Sequence, residues 1–297
     1  MPRTTAASAP YATRALALRV RPLGEKDRIV TLYSPEKGRF SAVAKGARGP
    51  KSKLAAVAQP FILARFLLAR GRSLDIVNQA QIENAHMNIA GNIGKAAWAS
   101  YGCEIVDNLP EGLPDERGFE ILCVFLATLD AISVPIPQKM KREAENEGRD
   151  ENEITLADSL EAAGAWFQAQ WLANQGYGAV IGFCAACDEK IALQGDAPET
   201  PVAFSAPQGG TLCAQCARSD PAHFLVSAAS LRALFRLERS RRAPASLFDA
   251  PFGLGMRSSG ELGTLLRRSV AHHLGARLRS QNFLDEIRIA QRLGDHF

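Results

Sequence analysis

Long apolar segments are missing from this sequence of 297 residues. No apolar run approaches the roughly 18 residues that a membrane-spanning helix needs. Residues 1–10 lack the charged and then apolar layout of a secretory signal. Hydrophobic residues make up 46% of the chain and charged residues 22%, which is typical of water-soluble globular proteins. We therefore expect a cytoplasmic protein of about two domains with no membrane partner.

Sequence signatures of catalysis are also missing. The chain has 5 histidines, and none accompanies a serine-centred nucleophile elbow or a pair of carboxylates. The loop at 46–52 resembles a phosphate-binding P-loop only superficially. Pro50 precedes Lys51 where that motif needs glycine, and Lys45 occupies its earlier glycine position. We therefore predict that the protein is not an enzyme and does not hydrolyse nucleotides.

Charge is divided unevenly along the chain, although the formal net charge is only +4. Residues 1–85 carry 15 Lys and Arg against 5 Asp and Glu, whereas residues 86–183 carry 6 against 15. Residues 184–297 carry 14 against 11. A basic N-terminal third is typical of proteins that bind polyanions, because each neutralised phosphate releases condensed counterions. A basic surface that only increases solubility is the alternative.

Short strands are predicted from residue 14 to residue 84. Leu16, Leu18 and Val20 alternate with small or charged residues, as in a strand with one buried face. Four similar runs follow, at 28–33, 40–45, 61–68 and 74–82. Five short strands within about 70 residues favour a small closed barrel such as the OB-fold, which commonly binds oligonucleotides. An SH3-like barrel also fits the pattern.

Helical periodicity replaces the strand pattern after residue 85. Apolar residues recur at helical spacing in six segments, at 89–105, 119–129, 156–171, 227–239, 261–278 and 283–293. We therefore predict an α+β protein, in which an N-terminal OB-fold β-barrel at 1–85 binds nucleic acid. A mainly α-helical domain follows at 86–297.

Residues 138–154 interrupt this helical pattern. They are rich in charge and have no large apolar side chain after Met140. Such a composition is typical of a disordered acidic linker, although an acidic interaction segment is the alternative.

Four of the six cysteines form two CxxC pairs, Cys184 with Cys187 and Cys213 with Cys216. Two residues between the cysteines let both thiolates of a pair reach one ion, and two such pairs complete a tetrahedral site. Because four thiolates leave no position for an activated water, we predict a structural zinc ion (Zn2+), held within 181–220. A redox role for each pair is the alternative. His223 could replace one cysteine as a ligand, but four cysteines make it unnecessary.

Residues 37–53 contain six cations and no acidic residue. The glycines of the loop at 46–53 allow close approach to phosphates, which the cations neutralise. Five of these cations are our predicted DNA contacts, namely Arg39, Lys45, Arg48, Lys51 and Lys53.

Two further groups of residues have open interpretations. Tyr33, Phe40 and Phe66 are interleaved with these cations and could stack on bases, although such residues more often form a barrel core. A second cationic group near the C-terminus could bind a phosphate or a partner's carboxylates, or could lie on a solvated helix face. Its members are Arg232, Arg236, Arg239, Arg241 and Arg242, with Arg267 and Arg268 further on.

Several segments together resemble the RecO family of DNA repair proteins. GEKDRIVTLYSPEKGR at 24–39, AVAKGAR at 42–48 and QPF at 59–61 resemble the N-terminal domain of that family. The two CxxC pairs resemble its C-terminal domain in order and spacing, with LANQGYG at 172–178 before them and LLRR at 265–268 and HHL at 272–274 after them. The resemblance covers essentially the whole chain.

The resemblance implies an N-terminal OB-fold, a helical C-terminal domain and zinc on the four clustered cysteines. It also implies a nucleoid-associated recombination mediator without catalytic turnover. Such proteins bind single- and double-stranded DNA, anneal complementary strands, contact the acidic C-terminal tail of single-stranded-DNA-binding protein, and act with RecR to load RecA. An RNA-binding module of OB-fold and zinc ribbon remains an alternative, as does a zinc-dependent hydrolase.

Overall fold

The computed structural model describes residues 9–133, 155–193, 200–275 and 278–294. The chain divides into two compact units, one formed by residues 1–130 with 278–285 and the other by residues 131–277 with 286–297. The predicted acidic linker at 138–154 lies outside the described residues. None of the described helices is long and apolar enough to cross a membrane.

Five strands of the first unit form a closed barrel in the order β1-β2-β3-β5-β4. They are β1 (Tyr11–Leu23), β2 (Asp27–Ser34), β3 (Gly38–Ala44), β4 (Leu63–Ala69) and β5 (Asp75–Asn84). Neighbouring strands are antiparallel except for β3 and β5, which pair in parallel through Ala42 with Asp75 and Val43 with Ile76. A five-stranded Greek-key barrel of this kind confirms the predicted OB-fold.

The barrel interior is filled by small as well as large side chains, because a five-stranded barrel encloses little space. Ala15 and Ala17 of β1 belong to this core together with Phe40, Phe66 and other apolar residues. Leu16 is also fully buried, but it does not belong to that core and points to the opposite side of β1. Strand β1 therefore has two buried faces through its middle, where the alternation predicted one, because β1 also contacts a helix of the same unit.

Three helices follow the barrel within the first unit: α1 (Met87–Ala90), α2 (Ile93–Asp107) and α3 (Glu116–Ala131). Asn92 caps α2 by accepting a hydrogen bond from the backbone N–H of Lys95. Asp115 precedes α3 and accepts hydrogen bonds from the backbone N–H of Gly118 at 2.8 Å and from the buried Tyr33 hydroxyl at 3.0 Å. The bond to Tyr33 fixes the start of α3 to the barrel.

The second unit is built around helix α4 (Leu156–Asn174), which contacts two later helices. Thr155 and Asp158 form a capping box at its start. Its buried surface is wider than the predicted stripe and includes Gln168 and Gln170, whose amides donate to backbone carbonyls. A helix that is buried on most sides shows a weak helical stripe.

A three-stranded antiparallel sheet in the order β7-β6-β8 completes the second unit. Its strands are β6 (Pro201–Ser205), β7 (Gly210–Leu212) and β8 (Phe224–Ser227). The other described helices are α5 (Ala214–Ser219), α6 (Ala228–Arg239), α7 (Met256–Leu274) and α8 (Arg279–Gly294). Helix α8 begins within the first unit, which includes residues 278–285. Helix α7 ends before Gly275, whose φ of 60° is the left-handed conformation typical of a helix end.

Candidate metal centre and nucleic-acid interface

The first CxxC pair lies on a tight turn that follows α4. The backbone N–H of Cys184 donates to the Glu189 carbonyl at 2.8 Å, and that of Asp188 donates to the Cys184 carbonyl at 2.9 Å. Asp188 adopts a φ of 59°, which closes the turn. A further bond, from the N–H of Ala185 to the Thr211 carbonyl at 2.8 Å, joins this turn to β7. The turn therefore holds Cys184 and Cys187 next to the sheet.

The second CxxC pair lies where β7 passes into α5. Cys213 occupies the position before the first residue of α5, and Cys216 lies in the first turn of that helix. The N–H of Ala217 donates to the Cys213 carbonyl at 2.9 Å. This bond joins the first turn of α5 to Cys213. The strand-to-helix junction thus turns both thiols toward the first pair.

All four Sγ atoms lie within 4.8 Å of one another. The Cys187 and Cys213 Sγ atoms are 3.8 Å apart. Four sulfurs about 2.3 Å from a central ion stand about 3.8 Å apart, so the arrangement matches a tetrahedral thiolate site. Cys184, Cys187, Cys213 and Cys216 can therefore hold one metal ion. The His223 ring instead contacts the Asp220 carbonyl at 2.6 Å and is outside this cluster.

Local hydrogen bonding favours the thiolate form of Cys184. Burial opposes ionisation, but backbone N–H groups of Cys213, Ala186 and Cys187 outweigh it and lower the pKa of Cys184 to about 6. The neighbouring Cys187, Cys213 and Cys184 sulfurs raise the pKa of Cys216 to about 12. Thiols this close to one another all lose their protons only when a cation neutralises the negative charge of the thiolates.

Four of the predicted DNA contacts lie at one end of the barrel. Lys45, Arg48, Lys51 and Lys53 are all exposed on the loop that joins β3 to β4. The Arg48 guanidinium donates to the Gly24 carbonyl at 2.7 Å. The backbone N–H of Gly46 donates to the Asp27 carboxylate at 2.7 Å. The β3–β4 loop is therefore held against the β1–β2 turn.

This packing adds Lys26 to the same surface, a residue that sequence reasoning missed. Lys26 is exposed in the β1–β2 turn, and its carbonyl accepts the backbone N–H of Arg48 at 3.0 Å. Glu25 and Asp27 flank it in the sequence and hide its charge from a count along the chain. The sequence feature that could have identified Lys26 is the segment GEKD at 24–27, whose composition is typical of an exposed turn. We name Lys26, Lys45, Arg48, Lys51 and Lys53 the basic end of the barrel.

Arg39, the fifth predicted DNA contact, lies apart from the basic end. Its guanidinium is 3.2 Å from Glu111 and 3.5 Å from Asp107, and it donates to the Leu109 carbonyl at 2.7 Å. Its side chain is only 19% exposed. Arg39 thus joins β3 to the end of α2, and its charge is balanced within the protein.

The three aromatic residues considered for base stacking are buried. Tyr33, Phe40 and Phe66 are each at most 8% exposed, and Phe40 and Phe66 belong to the barrel core. Sequence reasoning gave barrel core as the commoner outcome, and the structure agrees. None of the three presents a ring face to a strand on the barrel surface.

The second cationic group is largely engaged within the second unit. Arg232 donates to the Leu193 carbonyl at 3.4 Å, and Arg236 donates to the Pro251 carbonyl. The Arg239 guanidinium lies 3.4 Å from the centre of the Phe235 ring. Arg241 and Arg242, which follow α6, are exposed.

Comparisons with known proteins agree with this architecture. The family model described as "Recombination protein O N terminal" matches residues 9–86, and "Recombination protein O C terminal" matches residues 153–282. The DNA repair protein RecO of Pelotomaculum thermopropionicum is 31% identical over 276 residues, which cover 93% of each chain. RecO of Anaeromyxobacter sp. is 30% identical over 92% of this chain and 94% of its own. RecO of Symbiobacterium thermophilum is 29% identical over 95% and 99%. The chain therefore belongs to the RecO family of DNA repair proteins.

Proposed function

We propose that this protein is a recombination mediator that binds single- and double-stranded DNA and anneals complementary strands. With RecR, it helps to load RecA onto DNA coated by single-stranded-DNA-binding protein. It acts at the nucleoid and has no catalytic turnover. Membership of the RecO family supports this proposal, and the basic end of the barrel gives it a physical basis.

The observation that carries the proposal is the exposure of five cations at one end of the barrel. Among the described residues, none of the five forms an ion pair, whereas Arg14, Arg19, Lys37 and Arg39 do. An exposed cation without an acidic partner remains available to phosphate. Each phosphate that it neutralises releases condensed counterions, which drives binding to either single or double strands without reading the base sequence.

Annealing follows from the same charge. Two complementary strands repel each other through their phosphates, and a cationic surface that binds both lowers that repulsion. This effect needs no nucleotide hydrolysis. It should weaken steeply as salt screens the phosphates.

The second unit offers a separate surface for a protein tail. Phe235 is 44% exposed on α6, with Arg239 stacked on it and with Arg241 and Arg242 close behind in the sequence. An apolar ring beside arginines suits a peptide that combines acidic and hydrophobic residues. We assign the acidic C-terminal tail of single-stranded-DNA-binding protein to this surface.

We further propose that the ion held by the four cysteines is zinc. Zinc accepts tetrahedral coordination by four thiolates, and such a site leaves no position for a reacting water. Its role is then structural, because it would join the turn after α4 to the sheet and to α5. The closed ligand set supports this role over that of a hydrolytic centre.

Neutralising the basic end tests the DNA assignment. The triple variant Lys45→Gln, Arg48→Gln, Lys51→Gln should weaken binding to unrelated DNA sequences alike. Its salt dependence should flatten by up to about 0.9 log units per log unit of salt for each phosphate that the variant no longer neutralises. Fluorescence anisotropy with a labelled oligonucleotide at graded salt measures both.

The matched control removes the same charge from exposed sites elsewhere, through Arg117→Gln, Lys190→Gln and Arg218→Gln. This control should bind like the wild type. Unchanged affinity and salt slope in the basic-end variant would refute the assignment. RNA of the same sequence, bound more tightly than DNA at matched salt, would favour the RNA-binding alternative.

A further inference from the structure

A cleft of about 620 Å³ lies in the first unit, beside the loop that carries the basic end. Its walls come from β1, the end of the β3–β4 loop, α2 and the first turn of α8. Arg19, Ser100, Asp107 and Arg279 give it polar groups, and Phe61 gives it an aromatic wall. The volume is within the range of small-molecule sites and exceeds what an imperfectly packed core leaves.

Phe61 has an unusual backbone conformation at this wall. Its φ is 69°, in the left-handed region that bulky residues rarely adopt. The Phe61 N–H donates to the Ala17 carbonyl at 2.8 Å, and the Ala17 N–H donates to the Ile62 carbonyl at 2.9 Å. The His86 ring contacts the Phe61 carbonyl at 2.6 Å. Backbone strain that surrounding hydrogen bonds maintain in this way is found most often at functional sites. Here it places a half-buried aromatic ring on the cleft.

Asp107 indicates what kind of group the cleft accepts. Its side chain is 12% exposed and forms ion pairs with Arg19 at 3.2 Å and Arg39 at 3.5 Å. Burial raises the pKa of Asp107, although Arg19 and Arg39 oppose the rise. A carboxylate in a cleft repels phosphate but accepts hydrogen bonds from N–H donors. The amino and ring N–H groups of an unpaired base are such donors, and its ring face can stack on Phe61.

The cleft is within reach of the basic end. Val20 lines the cleft and lies four residues before Gly24, whose carbonyl binds the Arg48 guanidinium. At about 3.3 Å per strand residue, the offset is roughly 13 Å. A short stretch of single strand can bridge this distance between a phosphate on the basic end and a base in the cleft.

We propose that the cleft holds one unpaired base of a bound single strand, stacked on Phe61 and hydrogen-bonded to Asp107. This inference rests on the proposed DNA binding at the basic end. A duplex cannot place a base in the cleft without unpairing it, so the cleft gives the protein a preference for single strands that the phosphate contacts alone do not supply.

The test uses the full chain and oligonucleotides of equal length and charge, with and without bases. Wild-type protein should bind an intact single strand about tenfold more tightly than an abasic strand. Phe61→Leu should bind the intact strand only as tightly as the abasic one, while duplex affinity and salt slope stay unchanged. Phe61→Trp should retain the preference, because its ring can still stack. The matched control Phe183→Leu removes an exposed aromatic residue from the second unit and should behave as wild type.

Equal wild-type affinity for intact and abasic strands would overturn the inference, and this comparison does not depend on the folding of any variant. So would a Phe61→Leu protein that keeps the wild-type preference. A fall in duplex binding in step with single-strand binding would instead show that Phe61 only supports the fold, which also overturns the inference. Absence of salt-dependent binding to every oligonucleotide would overturn the proposed function itself, a separate outcome.

Discussion

Gly38 and Gly46 are alike as residues but differ in their surroundings. Both have a positive φ, 60° for Gly38 and 66° for Gly46. A Cβ atom on Gly38 would lie 1.8 Å from the Leu113 carbonyl oxygen, whereas a Cβ on Gly46 would meet nothing within 4 Å. Gly38 therefore permits the segment before α3 to close on the β2–β3 turn, and Gly46 only permits its own turn.

Alanine at these two positions separates close packing from backbone strain. Gly38→Ala should lower the free energy of unfolding by about 2–4 kcal/mol, because strain and a backbone clash add. Gly46→Ala should cost about 1 kcal/mol, from the left-handed backbone alone. Urea unfolding of both variants checks the difference, and equal losses would contradict this explanation of the β2–β3 turn.

Arg39 and Lys45 show why site residues are harder to predict than strands. Both follow the same basic pattern in the sequence, six positions apart. In the folded chain, the end of α2 lies beside β3, and Asp107 and Glu111 form ion pairs with Arg39. Arg39 is therefore neutralised by acidic groups, whereas Lys45 is exposed and available to phosphate. The acidic partners come from more than 60 residues away, and no local pattern carries that information. Lys26 was missed because Glu25 and Asp27 flank it in the sequence, and only the folded chain brings it next to Arg48.

A residue of α2 caps the start of helix α8. The Glu104 carboxylate accepts the backbone N–H groups of Arg279 at 3.0 Å and Ser280 at 2.8 Å, and the Ser280 hydroxyl. It thereby satisfies donors that the first turn of a helix leaves open and places a negative charge at the positive end of the helix dipole. These hydrogen bonds fix the start of α8 to the first unit.

The bonds to Glu104 should depend on pH. Burial opposes ionisation, but the hydrogen bonds from Ser280 and Arg279 outweigh it and lower the pKa of Glu104 below its ordinary 4.5. Because the folded pKa is the lower one, the stabilisation is complete above the unfolded value and is lost as the pH falls through the folded value. Hydrogen exchange should show protected Arg279 and Ser280 amides that open in acid.

Glu104→Gln should weaken that protection at neutral pH and flatten its change in acid. The control Glu120→Gln alters an exposed carboxylate on α3 and should leave both amides unchanged. Full protection in Glu104→Gln across the pH range would show that the carboxylate is not what holds α8.

Elements with one buried face and one exposed face were predicted well, and elements buried on more than one side were predicted less well. The five barrel strands of the sequence pattern all occur. The six helical segments are also helical, but the segment at 89–105 is divided into α1 and α2, and the segment at 261–278 ends at Leu274. Strand β1 and helix α4 departed from the pattern because each is packed on more than one side, which removes the polar face that periodicity detects. The CxxC pairs were the most informative motif, since their spacing predicted a cluster of four thiols, which the fold brings within 4.8 Å of one another.

The four-cysteine cluster should be separable from the barrel. Replacing Cys184 and Cys213 together by serine should abolish metal binding and reduce amide protection in β6, β7 and β8, while the barrel strands keep theirs. Metal analysis and hydrogen exchange measure the two effects. Cys123→Ser, which changes a cysteine outside the cluster, should keep the metal content of the wild type. Full metal occupancy in the double variant would contradict the ligand set.

Across the molecule as a whole, the two units carry different candidate sites. The first carries the basic end and the cleft, and the second carries the four-cysteine cluster and the arginine-rich surface beside Phe235. Charge and periodicity predicted a boundary at residue 85, whereas the first compact unit runs to residue 130 and also includes residues 278–285. The sequence could not predict that α1, α2 and α3 belong to the same compact unit as the barrel, because that depends on contacts such as those of Asp115 with Tyr33 and Gly118.

Our central proposal is that a cationic surface brings two DNA strands together without breaking or forming a covalent bond. The most direct measurement is the rate at which the purified protein anneals naked complementary oligonucleotides at graded salt, without nucleotide. We predict acceleration at low salt that fades as salt rises, reduced in Lys45→Gln, Arg48→Gln, Lys51→Gln and kept in the matched triple control. No acceleration at low salt, or equal acceleration by the basic-end variant, would contradict it.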